Sequence, residues 1–136
     1  MTAVVTGGPA EVELARYVAG DGAGRTSLAG RTDLGALVGV LAGARLFISG
    51  NTGPMHLAAA VGTPVVALFA PLRSGSPARW GPRTPRREII MPRGVKCERC
   101  PREKCPHYNC MEAVTVEEVY EAARRLWAAR EGARGR

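Results

Sequence analysis

Residues 46–71 constrain the fold of this chain more than any other stretch. The apolar run Leu46-Phe47-Ile48 enters a small-residue turn, Ser49-Gly50-Asn51-Thr52-Gly53-Pro54, and Met55-His56-Leu57-Ala58-Ala59-Ala60-Val61 follows before a second apolar run, Val65-Val66-Ala67-Leu68-Phe69. The order is strand, glycine turn, helix, strand. A proline just inside a helix has its φ already set and lacks only an N–H that would have no partner there. The remaining first-turn N–H groups point out of the helix end and attract anions. The backbone N–H groups of Thr52 and Gly53 with the Thr52 hydroxyl therefore outline a phosphate site, and Gly53 permits close approach.

The same alternation runs along the chain. Thr2 to Thr6 reads as a strand, and Gly7-Gly8-Pro9 turns it into a helix whose Leu14, Ala15, Val18 and Ala19 share one face and are expected to be buried. Ser27 to Ala29 is a second short strand. Asp33 caps a helix with Leu34, Leu37, Val38 and Leu41 on one stripe. Arg45 to Ser49, Pro64 to Phe69 and Glu88 to Met91 are the later strands. Thr115 and Glu118 make a capping box for a last helix, 116–130, with Val116, Val119, Tyr120, Ala123, Leu126 and Trp127 as its apolar stripe. Strands alternating with helices predict an α/β, Rossmann-like parallel sheet. The chain of 136 residues is expected to form one domain over 1–131, followed by a disordered tail at 131–136.

Charge is unevenly placed. The net charge is +7, yet residues 1–72 carry Arg16, Arg25, Arg31 and Arg45 against Glu11, Glu13, Asp21 and Asp33, and residues 105–136 also balance. The excess lies in residues 73–104, where only Glu88, Glu98 and Glu103 oppose ten Lys and Arg. A basic Pro/Gly loop, 72–88, is expected to be ordered but irregular. It reads either as a solvated face or as an electropositive rim for a phosphorylated ligand. Nucleic acid is disfavoured, because the basic residues lack interleaved aromatic rings. No apolar run reaches the roughly 20 residues that cross a bilayer, and no secretory leader is visible, so the cytoplasm is the expected compartment.

The stretch SGNTGPMHLAAAVGTPVVALFAP resembles the signature of the family 9 glycosyltransferases, the ADP-heptose:lipopolysaccharide heptosyltransferases. Further blocks match in the family's order: Thr6-Gly7-Gly8-Pro9-Ala10-Glu11, Leu28-Ala29-Gly30-Arg31-Thr32, and a late CxxC with a Cys-Met pair before a helix. The resemblance implies a GT-B fold of two Rossmann-like domains, of which this chain is most of the C-terminal, donor-binding one. It implies inverting transfer from a nucleotide diphosphate sugar, ADP-heptose-like, to a lipid-linked saccharide acceptor at the inner face of a membrane, with no required cofactor. The implied donor-binding residues are Asn51, Thr52, Gly53, Pro54, Met55 and His56, with Gly7, Gly8 and Glu11. Glu11 and Glu13 are also what any helix favours in its first turn. Where the family usually has Asp this chain has Asn51, which can orient a phosphate but cannot serve as base or metal ligand. The departure bears on the sugar more than on the nucleotide. The family's catalytic carboxylate belongs to the N-terminal domain, so no catalytic residue is expected here.

In the resembled domain another strand and helix precede the segment that begins at Met1. The first strand of a doubly wound sheet sits in its middle, so a sheet without it would fall into two halves with open edges. A missing N-terminal domain or another chain is the partner expected to complete it. Cys97, Cys100, Cys105 and Cys110, in the Cys-rich loop 92–113, could instead hold a structural zinc or an iron–sulfur cluster, with His107 as a spare ligand. Their spacing lacks the paired CxxC of common zinc ribbons. The competing reading is a small metal-binding module that recognises nucleic acid or a partner protein, which leaves the signature stretch without a purpose.

Overall fold

Among the described residues, five short strands form two parallel sheets rather than one. The computed structural model describes residues 2–95, Cys97 and residues 110–134. It divides into two compact units, Met1–Val40 and Leu41–Arg136. In the first unit β1 (Ala3–Val5) lies parallel to β2 (Arg25–Ser27), with Val4 opposite Thr26. The crossover between them is a 3-10 turn, Pro9–Glu11, and helix α1 (Val12–Ala19). β2 lies two residues earlier than Ser27 to Ala29. The Leu28 N–H still reaches the Val5 carbonyl at 2.8 Å, but the Arg31 N–H bonds back to the Leu28 carbonyl at 3.0 Å, so the chain is already turning.

The buried face of α1 is also narrower than its periodicity predicts. Ala15 and Ala19 are buried, whereas Leu14 and Val18 are 63% and 60% exposed. Residues four apart share a line along a helix, and this short helix rests on that one line of small side chains. Helix α2 (Leu34–Gly43) begins as expected, with the Asp33 Oδ1 accepting from the Ala36 N–H at 2.7 Å.

The second unit is built on a three-stranded parallel sheet in the order β3-β4-β5: β3 (Phe47–Gly50), β4 (Val65–Leu68) and β5 (Arg87–Ile90). Helix α3 (Gly53–Ala60) crosses from β3 to β4 and packs on both. Val65, Val66, Ala67 and Phe69 are fully buried, as a central strand covered on both faces requires. Its far face carries helix α5 (Val116–Arg134), where Val119, Ala122, Ala123 and Leu126 cluster with Leu46, Val66, Leu68 and Ile90. The expected stripe on α5 shifts accordingly. Ala122 is buried while Val116 and Tyr120 are exposed. The helix continues to Arg134, four residues past its expected end and through four of the six residues of the expected tail.

The start of α5 follows its capping box, with the Thr115 N–H donating to Glu118 and the Glu118 N–H to the Thr115 Oγ1, both at 3.2 Å. Arg125 forks onto Glu88 at 3.1 and 3.2 Å, and Arg93 meets Glu118 at 3.0 Å. The hydrogen bond to Glu88 is the main reason the Arg125 guanidinium is held above its ordinary pKa. These pairs are largely exposed and contribute little. Burying Leu126, at about 1.5–3 kcal/mol, does more to hold the helix.

In place of a wholly irregular loop after β4, Pro77–Trp80 form one short helix, α4. At the other edge of this sheet β3 has no second strand partner among the described residues. Its Ile48 is 47% exposed and lines an apolar groove of about 430 Å³ with Leu68, Val116, Val119 and Tyr120. No described helix is long and apolar enough to cross a membrane.

Candidate functional site

Strand β3 ends at Gly50, and two residues, Asn51 and Thr52, separate it from α3, with Thr52 as the N-cap in an extended conformation. The Thr52 side chain makes no cap hydrogen bond. Its Oγ1 instead lies 3.1 Å from the Ser49 Oγ and 3.5 Å from the Gly50 carbonyl. The Met55 N–H bonds the Thr52 carbonyl at 3.1 Å, closing the first turn from within. A helix whose N-cap side chain looks away keeps its positive end available. A Cβ built on Gly53 would meet nothing within 4 Å, so the space in front of that turn is open. Asn51, Thr52, Gly53 and His56 are all exposed there, and Pro54 is half-buried. Met55, expected among the donor contacts, is a core side chain at 0% exposure. As the third residue of α3 it faces the sheet, and its contribution is to hold the helix down.

The first unit contains the other expected residues, Gly7, Gly8 and Glu11. The Glu11 Oε2 accepts from the Gly8 N–H at 2.7 Å, so the carboxylate caps its own turn. The Gly30 N–H bonds the Gly7 carbonyl at 3.0 Å, and a Cβ on Gly7 would come within 3.3 Å of Ala29 and Glu11. Gly30 has φ +69°, and a Cβ there would press on Pro9 and Val12 at 3.3 and 3.1 Å. Two sequence blocks, 6–11 and 28–32, thus meet in one close-packed turn.

The basic loop, read from the sequence either as a solvated face or as an electropositive rim, meets the signature turn at Gly75, a contact the sequence alone did not point to. The Asn51 Nδ2 donates to the Gly75 carbonyl at 3.5 Å, a long contact, and the Trp80 indole N–H donates to the Ser74 carbonyl at 3.1 Å. The signal was topological. β3 and β4 are parallel neighbours with Gly50 opposite Leu68, so the segments following them leave the sheet at the same edge.

Of the cysteines, Cys97 and Cys110 are half-buried thiols, and no group of three or more metal-ligating side chains occurs among the described residues. Cys100, Cys105 and His107 lie outside the described residues. Cys97 ties the loop after β4 through its backbone, bridging Leu72 and accepting from the Arg73 N–H at 3.2 Å.

Residues 2–111 match the model of glycosyltransferase family 9 (heptosyltransferase). The chain belongs to that family. It is 29% identical over 102 residues to lipooligosaccharide heptosyltransferase 2 of Campylobacter jejuni, covering 74% of this chain and 31% of that protein. It is 32% identical over 77 residues to lipopolysaccharide heptosyltransferase 1 of Pseudomonas aeruginosa, covering 57% of this chain and 21% of that one. The family 9 chain therefore spans about a third or less of the length of these relatives. Its fold is that of the Escherichia coli ADP-heptose LPS heptosyltransferase II, with a TM-score of 0.74 at 24% identity over 96% of this chain and 37% of that one. A family 9 glycosyl transferase from Veillonella parvula matches with a TM-score of 0.75 at 23% identity, over 94% of this chain and 37% of that one.

Proposed function

We propose that this family 9 chain is the donor-binding part of an inverting glycosyltransferase that takes a sugar from a nucleotide diphosphate, ADP-heptose-like, to a lipid-linked saccharide at a membrane surface. The observation that carries the reading is the uncapped N-terminus of α3, facing open space at the C-terminal edge of a parallel sheet. The Gly53 N–H and its neighbours would receive the diphosphate, Thr52 would add a hydroxyl donor, and His56 stands exposed one turn further along. As the anomeric bond breaks, negative charge grows on the leaving diphosphate. Dipoles already aimed at it need no reorganisation, which is how such a site lowers the barrier.

Deprotonating the acceptor hydroxyl falls to a group outside this turn, since Asn51 is an amide. That separates binding from chemistry: the chain binds donor weakly and transfers nothing alone. The edge of β3 that lacks a second strand partner among the described residues fits the same reading, as the place where the N-terminal domain side of a GT-B fold or another chain would add a parallel strand. Right-handed crossover would put the helix following such a strand on the Ile48 face, opposite α3. The apolar groove lies on that face.

Calorimetric titration with ADP tests the site. Binding is expected for the native chain, with a loss of about tenfold or more in Gly53→Val and a smaller loss in Thr52→Ala. Unchanged affinity in both variants would overturn the assignment.

A further inference from the structure

Two helices in this chain start on a threonine, and the two threonines behave differently. At α5 the Thr115 Oγ1 accepts from the Glu118 N–H at 3.2 Å, whereas at α3 the Thr52 side chain makes no cap hydrogen bond. Backbone conformation is not the reason. Thr52 has φ −138° and ψ 168°, the extended geometry from which a threonine caps. A capping hydroxyl accepts from the second or third N–H of the helix. In α3 the second residue is Pro54, which has no N–H, so the N–H left for Thr52 to cap is that of Met55. That N–H bonds the Thr52 carbonyl at 3.1 Å instead.

The Thr52 hydroxyl is drawn elsewhere by Ser49. Ser49 is the third residue of β3, half-buried, and alternation along the strand puts its side chain on the face opposite the exposed Ile48. Its Oγ lies 3.1 Å from the Thr52 Oγ1. The Thr52 Oγ1 also lies 3.5 Å from the Gly50 carbonyl, which can only accept, so Thr52 is the donor in that contact. A hydroxyl has one hydrogen, and the hydrogen between the two side chains is therefore the one on Ser49. The order is Ser49 O–H to Thr52 Oγ1, then Thr52 O–H toward Gly50. The second link is long and weak. A phosphate oxygen at the open end of α3 is a charged acceptor, and bonds to such acceptors are roughly twice as strong as neutral ones.

We infer that Ser49 is a positioning residue of the donor site: its hydroxyl donates to Thr52, holds that side chain off the Met55 N–H, and leaves the Thr52 hydrogen free to pass from the Gly50 carbonyl to a phosphate oxygen of the nucleotide. Hydroxyls linked in this order polarise one another, which strengthens the outer donor. Ser49 itself touches no ligand. The inference rests on the nucleotide reading above, and its test is chosen so that the two can fail separately.

The full chain is titrated with ADP by calorimetry, native and with changes at positions 49 and 52. Threonine and valine have nearly the same shape and differ in the hydroxyl. Ser49→Thr should bind ADP within about twofold of the native chain, while Ser49→Val and Ser49→Ala weaken it by about two- to fivefold. In the Thr52→Ala background Ser49→Ala should cost nothing further, because a residue that acts through Thr52 has nothing left to position. Either hydroxyl-free variant can serve in that cycle, so one that fails to fold leaves the other. Equal affinities for Ser49→Thr and Ser49→Val would overturn the inference by making shape the cause. An undiminished loss in the Thr52→Ala background would also overturn it, since Ser49 would then act independently of Thr52. In both cases the site stands as long as Gly53→Val weakens ADP. If the native chain binds no ADP, both readings fall.

Discussion

Two turns in this chain are written almost alike and behave in opposite ways. Gly7-Gly8-Pro9 and Gly50-Asn51-Thr52-Gly53-Pro54 each carry a parallel strand into a helical segment through glycine, with proline at its start. In the first, Glu11 reaches back to the Gly8 N–H and Gly30 closes on Gly7, so the turn is satisfied by its own chain. In the second, Thr52 turns its hydroxyl toward Ser49 and Gly50, and a Cβ on Gly53 would meet nothing within 4 Å. A closed turn stabilises a fold, whereas an open one can receive an anion.

The sharpest way to break this contrast is to close the open turn. Thr52→Asp supplies the missing cap and places a negative charge where a phosphate would sit. It should stabilise α3 by about 0.5–1 kcal/mol while lowering ADP affinity by more than about tenfold. A higher melting temperature with intact ADP binding would contradict the open-turn reading. Opening the closed turn should act on stability instead. Gly30→Val forces a branched side chain into the left-handed region against Pro9, and chemical denaturation should show a loss of about 2–3 kcal/mol. Glu11→Ala removes only the cap, at about 1 kcal/mol. It should leave the ADP isotherm unmoved, and a large loss of affinity would return Glu11 to the donor site. Smallest of all is Gly53→Ala. A methyl group in open space on a helix should change stability by less than about 1 kcal/mol, and only slightly weaken ADP.

Many of the helix starts were legible in advance because their signals are local. Asp33, Pro54 and the Thr115 with Glu118 pair mark helix starts through bonds made within a few residues, and each start lies within a residue of its expected place. The central strand, Val65–Leu68, was legible because a run of small apolar residues has few other uses. Burial was less legible. Leu14 and Val18 follow the same periodicity as Ala15 and Ala19, yet only the alanines are covered. On α5 the buried line runs through Ala122, which an apolar stripe of larger residues had passed over. Periodicity says which residues share a face, not whether a neighbour covers that face.

The candidate site divides along the same line. Sequence by itself determined the family, the parallel α/β order and the glycine turn into a helix at residues 51–54, because backbone geometry and helix termini depend on short-range chemistry. Only the tertiary structure decided that Met55 belongs to the core, that Glu11 is engaged by Gly8, and that Gly75 lies against Asn51. Each of those depends on which surfaces meet across a sheet, and residues 24 apart in the chain meet only because two parallel strands end at one edge.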